Sequence, residues 1–284
     1  MKVLVINGSP KQHGCTDTAL SEVEAQLHRE GIETERHWVG RQPVPGCLGC
    51  NHCAEAGKCV FHDGVNELAD RVDEFDALVV GSPVYYAGPS GQIHCFLDRL
   101  FYVTGSTWAG KPGAAVVSCR RGGASSAFDQ LNKYFTISNM PVVPSQYWNQ
   151  VHGNTPEEVR QDLEGLQTMR TLATNLAWML RCQEAAGKSG VQRPAYEPRV
   201  ATNFIRCVQT ARGPPSGGPL FLRLFLAVEV IQGGLDGGHH KGGERAVLAL
   251  DGGFHFLDHG VGEADGLGGR RRDLRDLESH VYHL

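Results

Sequence analysis

The sequence predicts an α/β protein whose main domain is a doubly wound parallel β-sheet with helices on both faces. Strand-like and helix-like segments alternate between residues 2 and 206, and helices of this length between strands imply parallel strands joined by crossovers. The segments at 2–7 and 77–81 have the pattern of buried apolar strands, and glycine-rich turns directly follow three of the strands. With right-handed crossovers, the ligand of such a sheet lies beyond the carboxyl ends of its strands. These turns are therefore the first candidates for a functional site.

Hydrophobic periodicity defines the individual elements. Five segments have the short apolar or β-branched pattern of a strand, namely 2–7, 32–39, 77–81, 114–118 and 142–143. Five further segments have helical character, namely 17–29, 65–75, 92–102, 126–135 and 156–181. In the first helix Leu20, Val23 and Leu27 share one face. Residues 40–62 contain Pro43, Pro45 and several glycines, and we predict a loop there.

The character of the chain changes after residue 206. Residues 207–284 contain six glycine pairs, a triple arginine at 270–272 and six of the thirteen histidines, without a sustained helical or strand period. We therefore predict a folded domain at 1–206 and a glycine-rich C-terminal extension at 207–284 that is poorly ordered. The alternative for the extension is a small appended unit.

Composition narrows the classes of function. The net charge is −4, with acidic and basic residues interspersed, so we expect no nucleic-acid surface. The chain opens on a strand instead of a secretory signal, and its longest apolar stretch elsewhere, 220–231, is interrupted by Arg223 and Glu229 and is too short to span a bilayer. Nine cysteines in such a chain are expected to be reduced thiols or metal ligands. We predict a cytoplasmic protein that does not bind a membrane.

The first turn, GSPKQHGCT at 8–16, lies between a strand and a helix. Backbone N–H groups and the positive end of the helix favour a phosphate there. Ser9 and Thr16 add hydroxyl groups and Lys11 adds a positive charge, whereas Asp17 would repel an anion. The spacing fits neither a Walker A loop nor the dinucleotide G-x-G-x-x-G pattern. The alternative is an ordinary strand-to-helix turn.

The second and third turns suit a flat aromatic ring. The second, GSPVYYAG at 81–88, combines a proline, two tyrosines and small residues, which give an apolar wall with exposed backbone donors. In the third, SCRRGGA at 118–124, Gly122 and Gly123 let the backbone approach a ring closely, and the spacing is not that of a phosphatase loop. Paired tyrosines on their own are more often packing residues. Because the three turns follow strands of one sheet, together they predict an isoalloxazine site.

Four cysteines lie within thirteen residues of the loop after the second strand, in the segment CLGCNHCAEAGKC. Cys47, Cys50 and Cys53 are each separated by two residues, and Cys59 follows further on. This arrangement is common among iron–sulfur ligands, whereas structural zinc sites usually divide into two separated pairs. Three interpretations are open: an iron–sulfur cluster, a zinc ion, or a loop without a metal whose cysteines are reduced packing residues or a redox-active pair.

The segments GSPKQHGCT, CLGCNHCAEAGKC, GSPVYYAGPSGQIHCFLDRLFY and RVATNFIR together resemble the NADPH-dependent FMN reductase family, and in particular its iron–sulfur flavoprotein branch. The resemblance covers roughly residues 1–206. It implies a flavodoxin-like fold of five parallel strands, one FMN per subunit, and a homodimer or homotetramer that helps to complete the flavin pocket. Cys15 and Asp17 depart from the asparagine and the small residue usual in the family.

The resemblance also implies roles for individual residues. The FMN phosphate would be held by Ser9, Lys11, Cys15 and Thr16. The ring would be lined by Pro83, Val84, Tyr85 and Tyr86, with Gly122 and Gly123 near its far edge. A [4Fe–4S] cluster would be bound by Cys47, Cys50, Cys53 and Cys59. Lys58 and His52 would help to offset the negative charge of such a cluster.

The predicted function is that of an oxidoreductase that takes electrons from NAD(P)H through FMN and passes them to a quinone, a flavin or an iron–sulfur acceptor. The partner would be a small-molecule electron acceptor or a redox partner protein. Because the cofactor makes and breaks the bonds, we predict no catalytic side chain. Two alternatives are an electron carrier between partner proteins without a substrate of its own, and a flavin-dependent sensor or scaffold whose interaction arm is the tail.

Overall fold

The computed structural model describes residues 1–198 and residue 200. The predicted extension at 207–284 and most of the RVATNFIR segment lie outside the described residues. The strands are β1 (Lys2–Asn7), β2 (Glu33–Trp38), β3 (Ala77–Tyr85), β4 (Gly88–Pro89), β5 (Gly113–Cys119) and β6 (Gln150–His152). The α-helices are α1 (Cys15–Arg29), α2 (His52–Ala56), α3 (Gly64–Ala69), α4 (Gly91–Thr104), α5 (Ala124–Ile137), α6 (Pro156–Val159) and α7 (Leu163–Lys188).

Five of the strands form a parallel sheet in the order β2-β1-β3-β5-β6. The short strand β4 pairs only with the end of β3, antiparallel, with Tyr85 opposite Gly88. Counted over the five parallel strands, the order is 2-1-3-4-5, which is that of a flavodoxin-like doubly wound sheet. The predicted fold class is therefore confirmed. The direction of winding reverses between β1 and β3, and this switch point is where such sheets bind their ligands.

The sheet separates two apolar layers. Val3 and Val5 of β1 pack in a layer with residues of α1 and α7, whereas Leu4 and Ile6 pack in the opposite layer with residues of α3, α4 and α5. All four side chains are fully buried, and each contributes about 1.5–3 kcal/mol through burial. A strand covered on both faces explains why β1 has a continuous apolar sequence instead of an alternating one. Helices thus cover both faces of the sheet, and its carboxyl edge is left for a ligand.

The predicted fifth strand is wrong in position. Residues 142–143 do not form a strand, and Val142 makes only an isolated parallel bridge to Gly113. Pro141 and Pro144 flank these two residues, and because proline has no N–H to donate, a longer ladder cannot form there. The strand beside β5 is β6 instead, which pairs through Val151 opposite Ser118.

Two of the predicted helices are divided in the structure. The segment at 65–75 consists of α3 and a separate 3-10 turn at Val72–Glu74. The segment at 156–181 consists of α6 and α7, and α7 starts anew because the Asp162 side chain accepts a hydrogen bond from the Gly165 N–H. The predicted loop at 40–62 contains the five-residue helix α2. Among the helices of the described residues, none combines the length and the apolar character needed to cross a membrane.

Candidate functional site

The carboxyl ends of β1 and β3 are joined directly at the switch point. The Gly8 N–H donates to the Gly81 carbonyl oxygen at 2.8 Å. Ser90, which caps α4, donates from Oγ to the Gly8 carbonyl at 2.7 Å and accepts from the Ile93 N–H, while its own N–H donates to Ser82 Oγ at 2.9 Å. A side chain at Gly8 would overlap Ile93, since an added Cβ would lie 2.6 Å from the Ile93 Cβ. The first two predicted turns are therefore neighbours, fixed by buried hydrogen bonds.

The loop after β1 is held in shape by its own side chains. Asn7 is buried; its Oδ1 accepts from the Ser9 N–H at 3.0 Å and its Nδ2 donates to the Gln12 carbonyl at 3.2 Å. Ser9 Oγ accepts from the Lys11 N–H, and Trp38 Nε1 donates to the Ser9 carbonyl. The sequence-based prediction missed Asn7, although its place as the last residue of β1 was a usable signal. The loop is preorganised and does not have to order around a ligand.

The start of α1 is suited to an anion. Its N-cap residue is Gly14, and no side chain caps this helix end, so the backbone N–H groups of the first turn are those that a bound anion can accept from. Thr16 is buried at the same end, and its Oγ1 shares a hydrogen bond of 2.8 Å with Ser118 Oγ. Ser118 closes the site from the end of β5 and was also missed. These groups fit a phosphate.

The structure answers the electrostatic objection raised by Asp17. The Asp17 carboxylate is paired with the guanidinium of Arg36, which reaches across from β2 and also binds Glu24. His13 Nδ1 lies 3.4 Å from the other Asp17 oxygen. The negative charge at the helix start is therefore offset locally, which weakens its repulsion of a phosphate.

Cys15 is turned towards the end of β6. Its Sγ lies 3.6 Å from the Gly153 carbonyl oxygen, and burial raises the pKa of its thiol. Gly153 in turn donates its N–H to the Cys119 carbonyl, and Cys119 Sγ lies 3.4 Å from His152 Nδ1. What Cys15 offers an anion is thus its backbone N–H at the helix start and not a thiolate. The contribution of residues 152–153 was missed because the strand that carries them was predicted at 142–143.

The turn between β3 and β4 exposes its tyrosines. Tyr85 is half exposed and Tyr86 is fully exposed. Tyr86 (φ 49°) and Ala87 (φ 60°) both lie in the left-handed region, which is uncommon for residues other than glycine and concentrates at ligand sites. The predicted aromatic wall therefore stands free at the carboxyl edge, on a strained turn.

Gly123 brings the third turn against the second. Its φ is 91°, and an added Cβ would lie 2.8 Å from the Ala87 Cα and 3.2 Å from the Val84 Cγ1. Nothing lies within 4 Å of a Cβ added to Gly122. The two turns predicted to line a ring are in contact, and only glycine at position 123 permits so close an approach.

The four cysteines of the loop line one cavity of about 50 Å³. Cys47 and Cys50 are exposed, and Cys53 and Cys59 are partly buried. Gly49 and Asn51 lie in the left-handed region and turn the backbone between the first three cysteines. In the part of the chain that the structure describes, no group of three or more His, Cys, Asp or Glu residues is arranged to hold a metal ion. The thiols thus share a cavity without forming a single-ion site.

A buried arginine supplies the positive charge of this cavity. Arg99 on α4 is 1% exposed; its Nη1 and Nη2 donate to the two Asp63 oxygens at 2.8 and 2.7 Å, and its Nε donates to Cys59 Sγ at 3.1 Å. Burial alone would raise the pKa of the Asp63 carboxyl, but hydrogen bonds from Arg99 and the Val65 N–H outweigh it and lower that pKa. Lys58, expected from the sequence to offset thiolate charge, is exposed and binds Asp70 instead.

Helix α4 runs from the second turn, at 81–88, to the cavity lined by the four cysteines. It begins after Ser90 at the switch point, and Gln92 Nε2 donates to the Gln42 carbonyl of the cysteine loop at 2.7 Å. Further along, Cys95 Sγ lies 3.8 Å from a Cβ added to Gly46, and Tyr102 lines the cavity with Arg99. With a rise of about 1.5 Å per residue, Ser90 and Arg99 are separated by roughly 13–14 Å along the helix.

Comparison with known proteins agrees with this geometry. Residues 1–155 match the family model described as NADPH-dependent FMN reductase. The chain belongs to the NADPH-dependent FMN reductase family. An iron–sulfur flavoprotein of Methanocaldococcus jannaschii is 34% identical over 189 residues, covering 64% of this chain and 98% of the relative. An iron–sulfur flavoprotein of Archaeoglobus fulgidus is 35% identical over 118 residues, covering 41% of this chain and 54% of the relative. This FMN reductase family member therefore lies in the iron–sulfur flavoprotein branch.

A solved structure shares the fold of this flavoprotein. The crystal structure of RosB, with bound 8-demethyl-8-formylriboflavin-5'-phosphate, aligns with a TM-score of 0.52 at 16% sequence identity. The alignment covers 77% of this chain and 99% of RosB. At this identity the likeness supports the fold alone.

Proposed function

We propose that this flavoprotein is an FMN-dependent oxidoreductase that takes electrons from NAD(P)H and passes them to a quinone, a flavin or an iron–sulfur acceptor. The observation that supports it most is that α4 joins the carboxyl-edge turns to a cavity lined by four cysteines. When bound, FMN supplies hydride and single-electron chemistry, and an iron–sulfur cluster exchanges single electrons. The protein supplies binding, orientation and electrostatics, and no side chain is assigned acid or base work.

In this proposal the turns at the carboxyl edge of the sheet bind different parts of the flavin. The phosphate is bound by the N–H groups in the first turn of α1, including that of Cys15. It also contacts the hydroxyls of Ser9 and Thr16 and the positive charge of Lys11. The ring is lined by Pro83, Val84, Tyr85 and Tyr86, with Gly122 and Gly123 at its far edge. The full exposure of Tyr86 in the single chain supports a homodimer or homotetramer, since a second subunit would cover the open side of the ring.

We propose a [4Fe–4S] cluster instead of a zinc ion for the cysteine cavity. Zinc binds four sulfurs at about 2.3 Å, which requires the sulfurs to crowd around one point. Among the described residues, Cys47, Cys50, Cys53 and Cys59 line one common cavity instead of forming two separated pairs. A cubic cluster separates its four thiolate ligands, and a buried guanidinium beside Cys59 suits its negative charge.

The test begins with iron, sulfide, zinc and flavin content, together with the visible spectrum, of protein purified without oxygen. About four irons and four sulfides per chain alongside FMN are expected for one [4Fe–4S] cluster. The Cys53→Ser variant is expected to lose iron and keep FMN, whereas Cys95→Ser, outside the cavity lining, is expected to keep both. Flavin without iron would remove the cluster from the proposal, and absence of FMN would refute the proposal as a whole.

A carrier of electrons between partner proteins is the second candidate. The exposure of Cys47 and Cys50 favours it, because a cluster near the surface suits exchange with another protein. Turnover distinguishes the two functions: an oxidoreductase oxidises NAD(P)H with a small-molecule acceptor alone, whereas a carrier shows almost no turnover until a redox partner protein is added.

A further inference from the structure

We infer that Arg99 is a positioning residue of the cysteine cavity: fixed by Asp63, it donates a hydrogen bond to the Cys59 sulfur and raises the reduction potential of the cluster held there. The inference rests on the proposed [4Fe–4S] site. It deepens that proposal by assigning the tuning of the site to two residues that are not ligands.

The geometry leaves the guanidinium little freedom. Both Nη atoms bind the two Asp63 oxygens, and the guanidinium carbon lies 4.8 Å from the centre of the Phe61 ring. Because the guanidinium is planar and rigid, fixing the two Nη atoms also fixes the direction of Nε. That third donor points at Cys59 Sγ at 3.1 Å. A hydrogen-bond donor is therefore held in place before any cluster binds.

The backbone around Cys59 is fixed by a second set of contacts. Asn66 Oδ1 accepts from the Cys59 N–H at 2.8 Å, and Asn66 Nδ2 donates to the Cys59 and Phe61 carbonyls at 2.9 Å each. Arg99 Nη1 also lies 3.4 Å from the Pro45 carbonyl, two residues before Cys47. Arg99 thus contacts the Cys59 sulfur and the carbonyl two residues before Cys47, and Asn66 fixes the backbone that carries the Cys59 sulfur.

Hydrogen bonds to the sulfurs are among the factors that set the potential of an iron–sulfur cluster. Reduction adds one electron, so the reduced cluster carries one more negative charge than the oxidised form. A donor at a thiolate sulfur therefore stabilises the reduced form more and raises the potential. Asp63 acts in the opposite direction, because its negative charge partly cancels that of Arg99.

A purely structural buried ion pair makes a different prediction. It would stabilise the fold without shifting the potential, and removing either partner would have the same kind of effect. The arrangement predicts opposite shifts instead: loss of Arg99 lowers the potential, and loss of the Asp63 charge raises it. Lys58→Gln is the matched control, because Lys58 is next to Cys59 in sequence but is 56% exposed and paired with Asp70.

The experiment measures the cluster potential in the full chain. Four proteins are compared: wild type, Arg99→Gln, Asp63→Asn and Lys58→Gln. Each is reconstituted with iron and sulfide in the absence of oxygen and subjected to a redox titration, in which electron paramagnetic resonance measures the reduced cluster. At a fixed applied potential we expect Arg99→Gln to lower the ratio of reduced to oxidised cluster about tenfold, equivalent to about 59 mV for one electron. We expect Asp63→Asn to raise this ratio and Lys58→Gln to change it less than about threefold, since an exposed charge is screened. FMN content verifies folding in each variant.

The outcomes separate the two proposals. A wild type that binds no iron refutes the cluster and, with it, this inference. If the wild type binds iron but the potential is unshifted in both Arg99→Gln and Asp63→Asn, the role of Arg99 is refuted and the cluster proposal stands. The same holds if Lys58→Gln shifts the potential as much as Arg99→Gln does. If Arg99→Gln does not retain iron, Arg99→Lys replaces it, because an ammonium cannot reproduce the fixed three-way geometry; a wild-type potential in that variant also overturns the inference.

Discussion

Gly123 is the residue at which the two ring-lining turns meet. An alanine there would place a Cβ 2.8 Å from the Ala87 backbone at a φ of 91°. We expect Gly123→Ala to cost about 1–3 kcal/mol of stability through backbone strain and to weaken FMN binding at least about tenfold, since the turn must move. Urea denaturation measures the first effect, and quenching of FMN fluorescence on titration measures the second.

Gly122→Ala is the matched control for this prediction. A Cβ at position 122 meets nothing within 4 Å, so stability is expected to change by less than about 0.5 kcal/mol. Equal loss of stability in both variants would show that the close approach of Gly123 to Ala87 does not matter.

Tyr86 combines full exposure with a left-handed backbone, which costs an ordinary residue about 1–2 kcal/mol. Tyr86→Gly relieves this strain but makes the unfolded chain more flexible, so we expect stability to stay within about 1 kcal/mol of wild type. If Tyr86 lines the ring, the loss of aromatic contact weakens FMN binding by about 0.5–1.5 kcal/mol, or roughly twofold to twelvefold. Equilibrium FMN titration and thermal unfolding measure the two quantities.

Ala87→Gly changes a backbone of the same kind, at φ 60°, and keeps the tyrosine. FMN affinity in this variant is expected to equal that of wild type. A drop as large as that of Tyr86→Gly would assign the effect to the turn and not to the ring contact.

The residues of the site differ in how far the sequence predicted them. Ser9, Thr16 and the paired glycines could be proposed from the sequence because they occupy turns directly after strands, where the fold class alone places a ligand. Arg99 was missed, since its partners Asp63 and Cys59 lie 36 and 40 residues away. Lys58 adjoins a cysteine and was predicted to offset its charge, but adjacency in sequence does not show which way a side chain points.

Glu35 connects three elements of the fold. Its carboxylate on β2 accepts from Arg71 at 2.8 Å and pairs with Lys2 of β1 at 2.7 Å. Hydrogen bonds from Arg71 and Lys2 lower its pKa from 4.5 to about 2. Because the folded-state pKa is the lower one, this contribution to stability is present above about pH 4.5 and disappears as the pH falls towards 2.

We therefore expect Glu35→Gln to lower the free energy of unfolding at pH 7 by on the order of 1 kcal/mol, after allowance for screening at a partly exposed site. The difference from wild type should shrink below pH 4 and vanish near pH 2. Urea denaturation across this pH range measures it, with Glu33→Gln on the exposed start of β2 as the control. A difference that does not depend on pH would refute the assignment to the ionised carboxylate.

At the scale of elements, the sequence predicted buried strands better than the edge of the sheet. Residues 2–7 were predicted to the residue, because a strand covered on both faces must be apolar throughout. The edge strand β6 has only three residues, and Val151 alone of them is buried. A strand this short shows no hydrophobic periodicity, so the more apolar pair at 142–143 was predicted as the strand, although its flanking prolines disfavour strand pairing.

Within residues 1–198, the fold presents two candidate redox sites connected by α4. The turns proposed to bind flavin lie at the switch point between β1 and β3. Helix α4 begins there, after Ser90, and extends to the cysteine cavity. The fold class predicted the first site, but the second depends on a loop that returns to the far end of α4. That return was not visible in the spacing of the cysteines.

Among the described residues, both apolar layers of the flavoprotein are built from residues between Val3 and Leu180. A chain that ends at residue 206 therefore keeps the whole described core, and we expect it to keep FMN, iron and thermal midpoint. The control is a chain that ends at residue 162, which lacks α7 and with it Leu172 and Leu176 of one layer; burial of each leucine is worth about 1.5–3 kcal/mol, so this chain should not fold. FMN content, iron content and thermal unfolding are compared for the three lengths. Loss of FMN on removal of 207–284 alone would show that the C-terminal part belongs to the cofactor site, and would refute the division into a flavin domain and a separate extension.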